Sequence, residues 1–210
     1  MARNLGVSSR KQPQQGRSQD LVAAVLDAAV QVLTTEGERR FTTARVAERA
    51  GVSVGSLYQY FPNKAAILFR LQADEWRRTV ALLNGIMKDQ TVPPLIRLRR
   101  LVHAFILSEC EEAAIRRALA DAAPLYRDAP EAIEAKAGSE RIFRDFLVEA
   151  LPRASAQQRQ LSGDLIKRTL SDVGASFSET PRTSAEIDAF AEAMADMLCG
   201  YLEGLPGTMP

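Results

Sequence analysis

The stretch from Phe41 to Lys64 reads FTTARVAERAGVSVGSLYQYFPNK and gathers many side chains suited to polar recognition. Thr42, Thr43, Ser53, Ser56, Tyr58 and Tyr60 bring hydroxyls, Gln59 an amide and Lys64 an ammonium. Hydroxyls and amides bind phosphate oxygens and base edges alike. Val54, Ser56, Tyr58, Gln59 and Tyr60 are expected on an outward face and carry no charge. Gln59 and Ser56 are candidates for base reading, since Gln bonds adenine in a bidentate way worth about 1–3 kcal/mol of discrimination. Gly55 lets another backbone approach closely. Lys64 stands in the first turn of a helix, where free amides and an ammonium together form a phosphate clamp. Each has a plainer alternative: Thr42, Thr43 and Ser53 as helix caps, Gln59 and Ser56 as solvated polar groups, the tyrosines as partly buried rings, and Lys64 as a surface cation.

The elements around this stretch are short helices. Thr42 or Thr43 caps one that runs to Ala50, and Gly51 breaks it. Ser53 caps a second from Val54 to Tyr60, Pro62 stops it, and Asn63 caps a long third. Small Ala47, four positions before Gly51, lets the first two cross closely. Val46, Ala50, Val52 and Leu57 are spaced to pack between them and a preceding helix, with Leu57 and Phe61 in the core. This is helix-turn-helix logic, in which the second helix is turned outward to enter a DNA major groove. Residues 52–60 also alternate like a strand, but no partner strand is visible, and an isolated strand is unstable.

The preceding helix has Ser18 as candidate N-cap, a stripe of Val22, Val25, Leu26, Ala29, Val32 and Leu33, and Gly37 as its stop. Ahead of it, residues 1–17 carry four basic groups, no acid and little apolar surface, which predicts a flexible basic arm. The arm either reaches DNA or serves as a solubilising tail. After Lys64 everything reads as helix. The expected spans are 64–88, 95–112, 113–123, 130–151 with an interruption at Gly138, 155–177, and 184 onward. The fold class is therefore all-α with about nine helices. The predicted division is an arm (1–17), a three-helix DNA-binding domain (18–64) and a larger helical domain (65–210).

Composition closes off other classes. Of 210 residues, 46% are hydrophobic and 25% charged, as in an ordinary globular chain. No apolar run is long enough to span a membrane, and the N-terminus lacks a signal-peptide core, so a cytoplasmic protein with no membrane partner is expected. Cys110 and Cys199 are far apart and His103 is the one histidine, which fits neither a disulfide framework nor a metal cluster. No Gly-rich phosphate loop and no nucleophile–base pair stands out. No catalytic residue, cofactor or metal is expected, and an all-helical enzyme is the weaker reading.

The segment resembles the N-terminal domain of the tetracycline-repressor-like (TetR) family of bacterial transcription regulators. The matching residues are Thr42-Thr43, the run from Val46 to Ser53, Gly55, Leu57-Tyr58, Tyr60-Phe61 and Lys64; Ala65 departs, standing where many members carry an acid. The likeness covers roughly residues 18–70, and beyond that rests on length and helical architecture. It implies hydroxyl contacts from Thr42, Thr43, Ser53, Tyr58 and Tyr60 to phosphates or bases, with Val54, Gly55, Ser56, Gln59 and Lys64 in the same DNA-facing set. It implies a homodimer on a near-palindromic double-stranded operator, released when a small-molecule effector enters a cavity of the helical domain. Met87, His103, Phe105, Tyr126, Phe143 and Phe146 are candidate lining residues, against the plainer readings of core packing and, for His103, a surface or structural role. Leu165, Leu170 and Phe177, with Ile187, Phe190, Met194, Met197 and Tyr201, form the candidate dimer seam, against burial within one subunit. A regulator without an effector is the alternative.

The net charge of +1, from 27 basic and 26 acidic residues, hides an asymmetry. Residues 1–64 hold nine Lys/Arg against five Asp/Glu, and residues 65–210 hold 18 against 21. The expected DNA-facing end is basic and the body mildly acidic.

Overall fold

The structure is a computed structural model that describes residues 16–119 and 130–205. Its helices are α1 (Gly16–Glu36), α2 (Thr43–Arg49), α3 (Val54–Tyr60), α4 (Lys64–Lys88), α5 (Pro94–Leu119), α6 (Pro130–Ala150), α7 (Ala156–Arg168), α8 (Gly174–Phe177) and α9 (Ser184–Glu203). No strand occurs among the described residues, which confirms the all-α class and settles residues 54–60 as helix. The described residues form two compact units. One comprises 16–75 with 114–119, the other 76–113 with 130–205.

In the first unit, the stripe expected on α1 packs inward. Val22, Val25, Ala29, Val32 and Leu33 are buried, together with Phe41, Val46, Ala47, Leu57, Phe61, Ile67, Leu68, Leu71 and Ile115. Gly37 (φ 79°) and Gly51 (φ 67°) end α1 and α2 in the left-handed region, where a Cβ strains the backbone. Thr42 caps α2, accepting from Arg45 N at 3.2 Å. Ser53 caps α3 by accepting from Ser56 N at 2.9 Å, and Asn63 Oδ1 accepts from Ala66 N at 2.8 Å at the start of α4. Ser18 does not cap α1, which already begins at Gly16. The expected basic arm lies outside the described residues except for Gly16 and Arg17.

The second unit is built on Met87, Leu98, Leu101, Val102, Ile106, Phe146, Leu147, Leu151, Ile166, Leu170, Met194, Leu198 and Leu202. Three details differ from the sequence reading. The predicted break at 112/113 is absent and α5 runs on to Leu119, because nothing in Glu111-Glu112-Ala113-Ala114 opposes helix. Gly138 does not interrupt α6. The expected helix over 155–177 contains a π turn, Thr169–Val173, between α7 and α8. Beyond that turn a Cβ on Gly174 would stand 3.2–3.3 Å from Phe105, Glu109 and Ile106, so glycine lets α8 lie close on α5.

A buried arginine also sits in this core. Arg97 is 1% exposed. Its Nη1 donates to the Met87 carbonyl at 2.6 Å, at the end of α4 where carbonyls lack helical partners. It pairs with Glu149 of α6, and its guanidinium lies 5.6 Å from the Phe146 ring centre. It thus ties three helices together.

Candidate nucleic-acid interface

The candidate surface belongs wholly to the first unit. The α2–α3 turn at Gly51 and the cap at Ser53 set the direction of α3. Leu57, fully buried, fixes its rotation. With Leu57 inward, Val54, Gly55, Tyr58 and Gln59 are exposed, and Val54 (39%) and Tyr58 (42%) are among the large apolar groups left in solvent. Ser56 is half-buried and its hydroxyl lies 2.8 Å from that of Ser53, so the two form a local pair. Tyr60 is half-buried against the core of the unit, so its ring serves packing whatever its hydroxyl meets. A Cβ on Gly55 would come no nearer than 3.8 Å to Ser53 Oγ. Glycine is therefore not required there by the protein's own packing.

The threonine pair divides its work. Thr42 is the cap, and the Thr43 hydroxyl lies 3.1 Å from that of Tyr58 on α3. Lys64 is exposed in the first turn of α4. The last turn of α1 supplies a group that sequence reasoning did not single out. Glu36 Oε2 accepts from Arg45 Nη1 at 2.6 Å, and its Oε1 is 3.6 Å from Arg49 Nη2. A single carboxylate at the end of α1 thus restrains two cations of α2. Arg39 and Arg40, exposed in the 3-10 turn ahead of Thr42, add further positive charge. Their signal in the sequence was the Arg-Arg step next to the cap.

The candidate effector residues do not converge in this way. Met87 and Phe146 are core residues, and Phe105 and Phe143 pack against the same core. Phe143 and Phe146 stack at 5.7 Å. His103 is half-buried on α5, its Nε2 2.8 Å from Glu192 Oε2 of α9, beside the pairing of Arg99 with Glu192 and Asp196. Tyr126 lies outside the described residues. A cleft of about 400 Å³ between α6 and α7 is lined by Phe143, Leu147, Val148, Arg144, Arg159 and Lys167 among others. Among the described candidates, Phe143 is the one that lines it. Cys199 is buried on α9, and burial pushes its thiol up from its ordinary range.

The candidate seam residues separate into two groups. Leu170 and Met194 are already buried within the protomer. Phe177 and Phe190 stack on each other at 3.9 Å, Ile187 packs against the same core, and the Tyr201 hydroxyl reaches Ser162 Oγ at 3.1 Å. Leu165 (45%) and Met197 (55%) remain exposed. Leu161, at 60%, joins them and was not among the candidates, although it stands one helical turn before Leu165.

Two short helices joined at a left-handed glycine, with an uncharged polar face turned outward and cations around it, define a helix-turn-helix DNA-binding protein. The sequence pattern of "Bacterial regulatory proteins, tetR family" matches residues 25–71, and that of "Tetracyclin repressor-like, C-terminal domain" matches residues 93–205, over half of the chain. The chain belongs to the TetR family of bacterial transcriptional regulators. The nucleoid occlusion factor SlmA of Vibrio campbellii is 29% identical over 138 residues, which cover 65% of this chain and 64% of that protein. The chain thus matches less than two thirds of that curated relative's length. The fatty acid degradation regulator FadR of Bacillus halodurans has a similar fold, with a TM-score of 0.56 and 22% identity over 94% of this chain and all of that one. The ketosteroid transcriptional regulator KstR2 of Mycobacterium tuberculosis is also similar, with a TM-score of 0.60 and 20% identity over 93% of this chain and 98% of that one. No described helix is long and apolar enough to cross a membrane.

Proposed function

We propose that this regulator is a cytoplasmic repressor that binds a near-palindromic operator as a homodimer and is released by a small apolar or amphipathic effector. The observation that carries the DNA-reading part is the exposed, charge-free face of α3 held by buried Leu57 and the Ser53 cap. Gln59 reads a base edge, Val54 and Gly55 meet the groove, and Thr42, Thr43, Ser53, Ser56, Tyr58, Tyr60 and Lys64 form the phosphate-and-base contact set. The dimer joins α7 and α9 of two copies, supported by the exposed Leu161, Leu165 and Met197. The regulator acts by occupying DNA, with no catalytic step.

The test is binding to the intergenic DNA beside the chain's own gene, followed by footprinting. Expected are two protected half-sites about one or more helical turns apart. No protection at low salt overturns the reading. Adding long-chain carboxylates and steroids to the complex then tests release. A second reading, a DNA-binding protein without an effector, is favoured by the likeness to a nucleoid occlusion factor. It predicts an operator complex indifferent to every such compound.

A further inference from the structure

We infer that Thr43 is a positioning residue for Tyr58, and that the two hydroxyls act on a DNA phosphate as one unit rather than as two separate contacts. The inference rests on the DNA-binding reading above and deepens it. The pair joins residues fifteen positions apart on different helices, Thr43 at the first position of α2 and Tyr58 in the middle of α3. Their hydroxyl oxygens are 3.1 Å apart. The N-cap of α2 is already supplied by Thr42, so the Thr43 hydroxyl is not needed to end the helix.

Each hydroxyl owns one proton and can accept as well. Where the two bond each other, one proton is used between them and the other is left to donate outward. Tyr58 is the more exposed of the two, while Thr43 is half-buried. The arrangement that fits is Thr43 donating to the phenol oxygen, with the phenol proton directed to a phosphate oxygen. An accepted hydrogen bond polarises the phenol and strengthens its outward one. It also restrains a long side chain that is otherwise free to rotate, so less ordering is left for the moment of binding. The bond spans α2 and α3 and therefore holds the phenol in register with the α2 start. The Ser53–Ser56 hydroxyl pair does not serve this purpose, because it lies within the first turn of α3 and includes that helix's cap.

The test is a double-mutant cycle on the full chain. Thr43→Val, Tyr58→Phe and the double variant are compared for affinity to a short mixed-sequence duplex at about 50 mM salt, where phosphate contacts dominate. A charge-assisted hydrogen bond lost on Tyr58→Phe weakens binding by about ten-fold or more. Thr43→Val weakens it by about three- to ten-fold in the parent chain and leaves it unchanged in the Tyr58→Phe background. Thr43→Ser keeps the hydroxyl and restores parental affinity. Thermal unfolding of all four variants stays close to the parent, which separates positioning from damage to the fold. Equal losses from Thr43→Val in both backgrounds mean an independent phosphate contact and overturn the inference. So does a Thr43→Val variant that binds as the parent does. If the parent chain binds no duplex at all, the DNA-binding reading itself fails, a distinct outcome.

Discussion

Lys64 shows how one residue draws its meaning from its place. It is exposed in the first turn of α4, beside amides that have no helical acceptor. A cation there opposes the helix dipole, so the position does nothing for the helix itself. An incoming phosphate reverses that balance, since amides and ammonium then act on one anion. Lys64→Ala should weaken binding to every duplex and lower the salt slope by about one, as expected when one phosphate contact is removed. Titration of affinity against salt checks this; a loss confined to one operator sequence contradicts it. Gln59→Ala should do the opposite, flattening the preference at a single base pair by about 1–3 kcal/mol and leaving the slope alone. The four-residue step from Leu57 to Phe61 made these core positions readable from sequence, whereas Val54 and Tyr58 lie on adjoining helical rows and only the packing of α3 leaves them exposed. What could not be read was which polar groups would satisfy one another. Nothing local distinguishes Thr42 as the cap from Thr43 as the partner of Tyr58, and Glu36 meets Arg45 and Arg49 only after α1 and α2 have packed.

At the scale of the element, end signals were more legible than interiors. Gly37 and Gly51 turn the chain as the lack of a Cβ allows, and Ser53, Asn63 and Ser155 cap as their side chains dictate. α9 opens at Ser184 as expected, and its cap is Thr183, because Glu186 lies three residues after Thr183 and completes a capping box. Interiors misled where a helix depends on its neighbours. The π turn at Thr169–Val173 leaves no mark in composition, and buried Arg97 looks like any other cation of the Arg97–Arg100 cluster. The capping box gives a pH prediction. Hydrogen bonds from the Thr183 backbone N–H and then from its hydroxyl hold the Glu186 carboxyl below its ordinary value of 4.5. A carboxyl with a lowered folded-state pKa adds stability that is full above its ordinary value and fades as pH falls through the folded one. Thr183→Ala should therefore lower the melting temperature at neutral pH, and the gap to the parent should narrow as the pH drops below 4.5. A constant gap across that range would show that the Thr183 hydroxyl does not act through the carboxylate, whose bond to the residue 183 backbone N–H survives the substitution.

For the whole molecule, the proposed seam rests on what a single chain leaves uncovered. Leu170 and Met194 are part of the protomer's own core, so truncating Leu170 to Ala should cost about 2–5 kcal/mol of folding stability wherever the dimer forms. Leu161, Leu165 and Met197 are different. They are more than two-fifths exposed on α7 and α9, and an isolated protomer gains nothing from them. The sequence pattern could not separate these two groups, since both recur at helical steps along the same two stretches and only the packing of α7 and α9 on the remaining helices decides which side is covered. Leu165→Glu and Met197→Glu should thus leave the fold of each chain intact while placing charges in the proposed seam, an unpaired burial that a dimer joined there cannot tolerate. Sedimentation should report monomers at concentrations where the parent is dimeric. Operator affinity should fall by about 10²–10⁴-fold, because the second head no longer arrives tethered to the first. Binding of a single head to mixed-sequence DNA at low salt should change far less, since Lys64 and the α3 face are untouched. A variant that still sediments as a dimer places the seam on another face, and one that loses both modes of DNA binding equally points to damage in the fold.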